Sequence, residues 1–131
     1  MVKPEGTLTG AQLEIMEAVW AGGRRGVTVA EIRGHVSRSR QVARTTVLTL
    51  VRRLQQRGWL VRKKEGRSHR YFASRSRELA TGRLAAQFVD EFFGGSATDL
   101  VMSLLGTNRI GPKELERLRD ALAEAKEENA P

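Results

Sequence analysis

Between Val42 and Gly58 the chain carries the pattern of a helix with two unlike faces. Val47, Leu50, Val51 and Leu54 stand at i, i+3, i+4 and i+7, the spacing that lines one side of an α-helix with apolar groups. At about 100° per residue, the opposite side carries Thr45, Leu48, Thr49, Arg52 and Gln56, with Arg44, Thr46 and Arg53 on the flanks. The apolar face must be buried by neighbouring elements. The other face is left to meet something outside the chain. Gly58 stands where the helix, predicted over about Val42–Arg57, should end.

Neighbours able to bury that face lie on both sides of it in the sequence. A first helix is predicted from Thr9 to Ala21, opened by Thr9 and Gln12 at capping-box spacing. Leu13, Met16 and Trp20 give it an apolar stripe backed by Ile15 and Val19, and Gly22-Gly23 stop it. A second helix starts at Thr28, again with a box (Thr28 and Glu31), and buries Val29, Ile32 and Val36. Gly26-Val27 just before it suits a short strand, and the polar, basic segment Ser37 to Gln41 reads as a turn. After Gly58, Trp59–Lys64 and Ser68–Ala73 form a predicted β-hairpin around Glu65-Gly66-Arg67, with a basic tip. Three short helices and a hairpin are the layout of a winged helix-turn-helix.

The remainder reads as helical and has a different surface. A long helix is predicted over about Arg77–Phe93, where Leu84, Ala85, Phe88, Val89, Phe92 and Phe93 cover more than half the circumference. One small domain cannot hide so wide an apolar surface, so a second copy of the chain is the expected cover. Gly94-Gly95 breaks this helix. Ser96 with Asp99 caps a short apolar one, Leu100 to Leu105, whose expected dimer contacts are Leu100, Val101, Leu104 and Leu105. Pro112 suits the first position of a last helix. Its narrow seam of Leu115, Leu118 and Leu122 has two readings, intramolecular core or dimer contact, and the tail from Glu127 should fray. The expected fold class is therefore mainly α with a small β-hairpin, a winged helix-turn-helix domain over 1–76 and a helical dimerisation domain over 77–131.

Charge divides at the same place. Of the 131 residues, the first 77 hold 17 Lys and Arg against 5 Asp and Glu, and the other 54 hold 6 against 10. So concentrated a positive field favours a polyanion. A major groove about 12 Å wide admits one α-helix, and the third helix has the face to enter it. Arg52 suits bidentate pairing with guanine, and Thr45, Thr46 and Thr49 suit bases or phosphates. Leu48 has two readings, contact with a thymine methyl or packing against the hairpin. Arg40, Arg44 and Arg53 are placed to hold phosphates, as are Lys63, Lys64, Arg67 and Arg70 of the hairpin. A sequence-indifferent, nucleoid-type binder is the alternative. It needs only Lys and Arg, and the mixed Thr/Leu/Arg face argues against it.

Other chemistries find little support. There is no cysteine, which excludes disulfides, thiolate metal sites and a cysteine nucleophile. His35 and His69 are lone imidazoles, read as surface or satisfied side chains. Asp90 and Glu91 are adjacent and point about 100° apart on a helix, a poor arrangement for paired acid–base catalysis. No phosphate-binding glycine loop or nucleophile elbow is present, so no enzyme, cofactor or metal is expected. No apolar run approaches a membrane span of about 20 residues, and the N-terminus does not resemble a signal peptide. The expected location is the cytoplasm, without membrane insertion.

The residues also resemble the penicillinase-repressor (BlaI/MecI) family. The resemblance is carried by Leu8-Thr9, Ile15-Met16 and Trp20, then by Thr45-Thr46-Val47, Thr49, Arg53-Leu54 and Gly58. It continues through Gly66-Arg67 and Tyr71 to Phe92-Phe93-Gly94-Gly95-Ser96 and Leu100-Val101, covering roughly Leu8 to Glu124. It implies a homodimer on a palindromic operator that represses nearby genes, such as those of β-lactam resistance or the cell envelope. It also implies relief by cleavage in the dimerisation domain, through a membrane-bound metalloprotease sensor. Two departures stand out. Gln12 occupies a position where the family often has an acidic residue. Ser103-Leu104 replaces the Asn-Phe pair at which known members are cut, so the family's cleavage specificity is not carried over with it. A copper-sensing branch uses C-terminal cysteines, which this chain lacks.

Overall fold

The computed structural model describes residue 6 and residues 8–128. The elements run α1 (Gly10–Gly22), a single 3-10 turn (Gly23–Arg25), α2 (Val29–Val36), α3 (Arg44–Gln56), β1 (Leu60–Glu65), β2 (Ser68–Ala73), α4 (Arg77–Phe92), α5 (Ala97–Gly106) and α6 (Pro112–Glu128). This is the expected fold class. Both predicted capping boxes form. Thr9 N–H donates to Gln12 Oε1 at 3.0 Å and Gln12 N–H to Thr9 Oγ1 at 3.2 Å. Thr28 N–H and Glu31 N–H make the same exchange at 3.2 Å each. Each box satisfies N–H groups that a helix start leaves without partners and contributes about 1 kcal/mol.

The described residues up to Ala85 form one compact unit and those from Ala86 onward a second. In the first, Ile15 and Met16 of α1, Ile32 and Val36 of α2, and Val47, Val51 and Leu54 of α3 share one buried core. Trp59, Leu60 and Tyr71 close it from the hairpin side, and Ala80 anchors α4 in it. Leu50 and Trp20 are only partly covered. Trp20 uses its indole to donate to Arg75 O at 2.9 Å, which holds the approach to α4 against α1.

The hairpin pairs Leu60 with Ala73, Arg62 with Tyr71, Lys63 with Arg70, Lys64 with His69 and Glu65 with Ser68. The expected strand at Gly26-Val27 is one bridge: Val27 N–H donates to Tyr71 O at 3.0 Å and Tyr71 N–H to Val27 O at 2.7 Å. The hairpin base is thus stitched to the segment before α2. Gly26 has φ +73°, and a Cβ there would lie 2.6 Å from the Phe72 ring, so any other residue must strain the backbone and push that ring aside.

The second unit has helices but little core of its own. No described residue from 86 to 128 is buried. Phe88 stacks obliquely on Phe92 and Phe93 with ring centroids 4.8 and 5.8 Å apart. α5 is longer than the sequence suggests, starting at Ala97 directly after its cap, where Ser96 Oγ accepts from Asp99 N–H at 3.1 Å. α6 continues through Glu127 and Glu128, where the sequence predicts fraying; the rest of that tail lies outside the described residues.

Candidate nucleic-acid interface

α3 carries Arg44, Thr45, Thr46 and Thr49 in its N-terminal half and no acid anywhere. Its apolar side is fixed in the core, so its outer side is fixed in space. Arg44, Thr45, Thr46, Thr49, Arg52 and Arg53 are all exposed. Thr49 Oγ1 donates back to Thr45 O at 2.9 Å, which engages its proton and leaves its oxygen as an acceptor.

The wing, β1 and β2 with their turn, stands beside this face. Residues directly opposite in a hairpin share a face, so Arg62, Lys64, His69 and Tyr71 lie on one side of it and Lys63, Glu65, Arg70 and Phe72 on the other. The first side helps to line a cleft of about 450 Å³ between wing and α3, in which Arg62, Arg67, Ser68, His69 and Tyr71 face Arg44, Leu48 and Arg52. Of Leu48's two readings, the structure places it in this cleft, half-buried beside wing residues. The guanidinium groups of Arg44, Arg52, Arg62 and Arg67 have no hydrogen-bond or carboxylate partner among the described residues. His69 Nδ1 is buried without a partner among them too, so this imidazole is neither a free surface group nor a fully satisfied one.

Three of the cations expected at the interface are engaged elsewhere. Arg40 Nη2 lies 3.1 Å from Glu14 Oε1 of α1, and Lys63 Nζ sits over the Phe72 ring, 5.2 Å from its centroid. Arg70 reaches Glu65 Oε2 at 2.8 Å, Glu31 Oε1 at 3.3 Å and Gly26 O at 3.3 Å. Glu31 is held below the usual carboxylate range, chiefly by the Thr28 N–H it accepts, further by the Thr28 hydroxyl and by Arg70 and Arg25, against a smaller opposing effect of burial. The residue missed in the sequence is Arg62. Strand alternation from buried Leu60 was the signal, since it puts Arg62 on the inward side where Lys63 cannot be.

In the second unit, Phe88, Phe92, Leu105, Leu115, Leu118 and Leu122 are exposed, and Val89, Phe93, Leu100, Val101 and Leu104 are half-buried. Leu84, also half-buried, belongs to the first unit. Val101, Leu104, Ile110, Leu118 and Ala121 line a shallow apolar groove between α5 and α6. Met102 of α5 is 60% exposed as well. Ser103 is exposed in the last turn of α5. Its carbonyl accepts from Thr107 N–H at 3.1 Å, and Leu104 O accepts from Arg109 N–H at 2.9 Å.

A winged helix whose reader helix and wing both present unpaired cations defines a DNA-binding regulator of transcription rather than an enzyme. The chain belongs to the penicillinase repressor family, which it matches over residues 8–124, and the family's members are transcriptional repressors. It is 26% identical over 112 residues to the penicillinase repressor of Staphylococcus aureus, covering 86% of this chain and 87% of that protein. It is 29% identical over 111 residues to the transcriptional regulator BlaI of Mycobacterium tuberculosis, covering 84% and 78%. The fold is also that of MepR, a transcription regulator of the Staphylococcus aureus multidrug efflux pump MepA. That match has a TM-score of 0.52 at 16% identity and covers 92% of this chain and 79% of that one. Among the described residues, no helix is long and apolar enough to cross a membrane.

Proposed function

We propose that this chain is a homodimeric, sequence-specific repressor that binds a palindromic operator in cytoplasmic DNA. The observation that carries the reading is the outer face of α3. Thr45, Thr49 and Arg52 are exposed on a rigid helix that bears no acid. Such a face supplies base discrimination of about 1–3 kcal/mol per good contact, while Arg44, Arg53, Arg62, Lys64 and Arg67 supply phosphate contacts that hold the register. Arg40 is available to a phosphate as well, because an exposed ion pair such as Arg40–Glu14 is weak.

The dimer rests on the second unit. So short a helical segment, with no buried side chain among its described residues, does not hold together on its own account. Its exposed phenylalanines and leucines are best covered by the same surface of a second copy. Two reader helices would then sit roughly 34–36 Å apart, one turn of DNA. The Staphylococcus aureus relative is a penicillinase repressor, so genes of β-lactam resistance or the cell envelope are the proposed targets. The proposed release is proteolysis within α5 at or near Ser103–Leu104, through a membrane-bound metalloprotease sensor. With Ser103 O and Leu104 O held in the hydrogen bonds that close the C-terminal end of α5, that end must open before a protease can take the bond.

The test is selection from a random duplex library in about 150 mM salt with excess competitor DNA. A two-fold symmetric site should be enriched, and Arg52→Ala or Thr49→Ala should abolish the enrichment. Equal retention of all duplexes, with affinity falling steeply with salt, would leave a nucleoid-type binder instead.

A further inference from the structure

The wing is a two-stranded hairpin, and such a ribbon is marginal alone. Its base is fastened by Tyr71 to Val27. Among the described residues, the hydrogen bonds that leave its outer half, from the Lys63–Arg70 pair to the Gly66 turn, start from one place. Among the described residues, Arg70 is the outermost wing residue whose hydrogen bonds leave the hairpin. Nη1 donates to Gly26 O and to Glu31 Oε1, each at 3.3 Å. The same guanidinium turns its Nε to Glu65 Oε2 at 2.8 Å on the wing itself. Its side chain is only 20% exposed, a low figure for an arginine near a wing tip. Glu31 is held in turn, since Thr28 N–H and Thr28 Oγ1 both donate to its Oε1, at 3.2 and 3.1 Å.

We propose that Glu31 is a positioning residue for DNA binding, which acts through Arg70 to hold the wing at the angle where Arg62, Lys64 and Arg67 meet the phosphates. The proposal rests on the DNA-binding reading above. It carries a sign that plain electrostatics does not. Removing a negative charge from a basic DNA-binding unit should tighten binding. Removing this one should loosen it, because the wing's cations leave their places. Glu31→Gln is the informative change. Glutamine serves a capping box as well as glutamate does, so the start of α2 is kept while the ion pair to Arg70 is weakened.

The full chain and its Glu31→Gln and Glu17→Gln variants are titrated with a library-selected duplex, or with a mixed-sequence duplex if none is enriched, over a range of salt. Glu17, which pairs with Arg77 at 3.2 Å, controls for loss of one acid away from the wing. The expected result is affinity about threefold weaker for Glu31→Gln, the scale of one exposed ion pair, and no weaker for Glu17→Gln. The slope of log K against log salt should shrink by about 0.9 for each phosphate that the wing no longer meets, which a fall in overall stability would not produce. Amide hydrogen exchange of the free protein, read at residues 63–70, should quicken in Glu31→Gln and stay slow in α1 and α3. Tighter or equal binding of Glu31→Gln with an unchanged slope overturns the proposal, as does unchanged exchange in the wing. If the wild-type chain binds no duplex at all, the DNA-binding reading fails, the assignment of Glu31 to DNA binding falls with it, and only the exchange result still bears on the wing fastening.

Discussion

Glu31 serves two structures at once, the cap of α2 and the fastening of the wing, and its titration should report both. Its carboxyl is held low by the Thr28 N–H and hydroxyl and by Arg70 and Arg25. A group with a lowered folded pKa contributes stability above its unfolded value, about 4.3 for glutamate, and loses that contribution as pH falls through the folded value. Urea midpoints of the wild type and Glu31→Gln should therefore differ at pH 6–7, with the wild type higher, and converge as the pH drops below about 4. A gap that stays constant over that range would mean the carboxylate is not used. The neighbouring pair Arg62 and Lys63 allows a second comparison. Arg62 has no carboxylate partner among the described residues and lines the cleft against α3; Lys63 lies over Phe72 on the far side. Arg62→Ala should lower the salt slope of DNA binding by about 0.9, and Lys63→Ala should leave it nearly unchanged.

Elements were legible in this sequence wherever a side chain closes a local circuit. Thr9 with Gln12 and Thr28 with Glu31 announce two helix starts by spacing alone, and both boxes are present. The periodicity of Val47, Val51 and Leu54 marks the buried side of α3 and hence its reading side. What the sequence could not show is who answers whom across the chain. Arg70 and Arg40 look like any other basic residues until Glu31 and Glu14, 39 and 26 positions away, are brought beside them. The hairpin was legible as a hairpin, but one residue of register decides whether Arg62 or Lys63 faces the cleft. Gly26 is another such case. In sequence it is one of 13 glycines; in the structure it lets the chain pass under Phe72 with φ +73°. Gly26→Ala must tolerate both that backbone angle and a Cβ inside the ring's contact distance, so it should cost about 1–3 kcal/mol of stability. Denaturant unfolding checks this, and a loss below a few tenths would show that Phe72 can move aside freely.

At the scale of the molecule, the chain contrasts a unit with a closed core against one whose apolar side chains are left uncovered. The first 85 residues bury Ile15, Met16, Ile32, Val47, Val51 and Leu54 almost completely. In the second unit Phe92 is 68% and Leu122 66% exposed. Apolar area left in water is worth roughly 25 cal/mol per Å² when covered, so two such surfaces have ample reason to close on one another. The consequence for function is one of effective concentration. A half-site bound by one reader helix is weak, and tethering a second reader through the dimer raises the overall affinity by about 10²–10⁴ without a new contact. Phe92→Asp places a charge on that surface and leaves every residue of α3 and the wing untouched. It should elute and sediment as a monomer, keep the unfolding transition of the winged helix, and bind a full palindromic site hundreds of times more weakly than the wild type while binding a single half-site about as well. A Phe92→Asp chain that remains dimeric would place the contact elsewhere, on α6 or the groove at Leu104 and Leu118. A monomer that still holds the full site at wild-type affinity would mean that one reader helix suffices, and a chain of that kind could not be switched off by cutting its second unit.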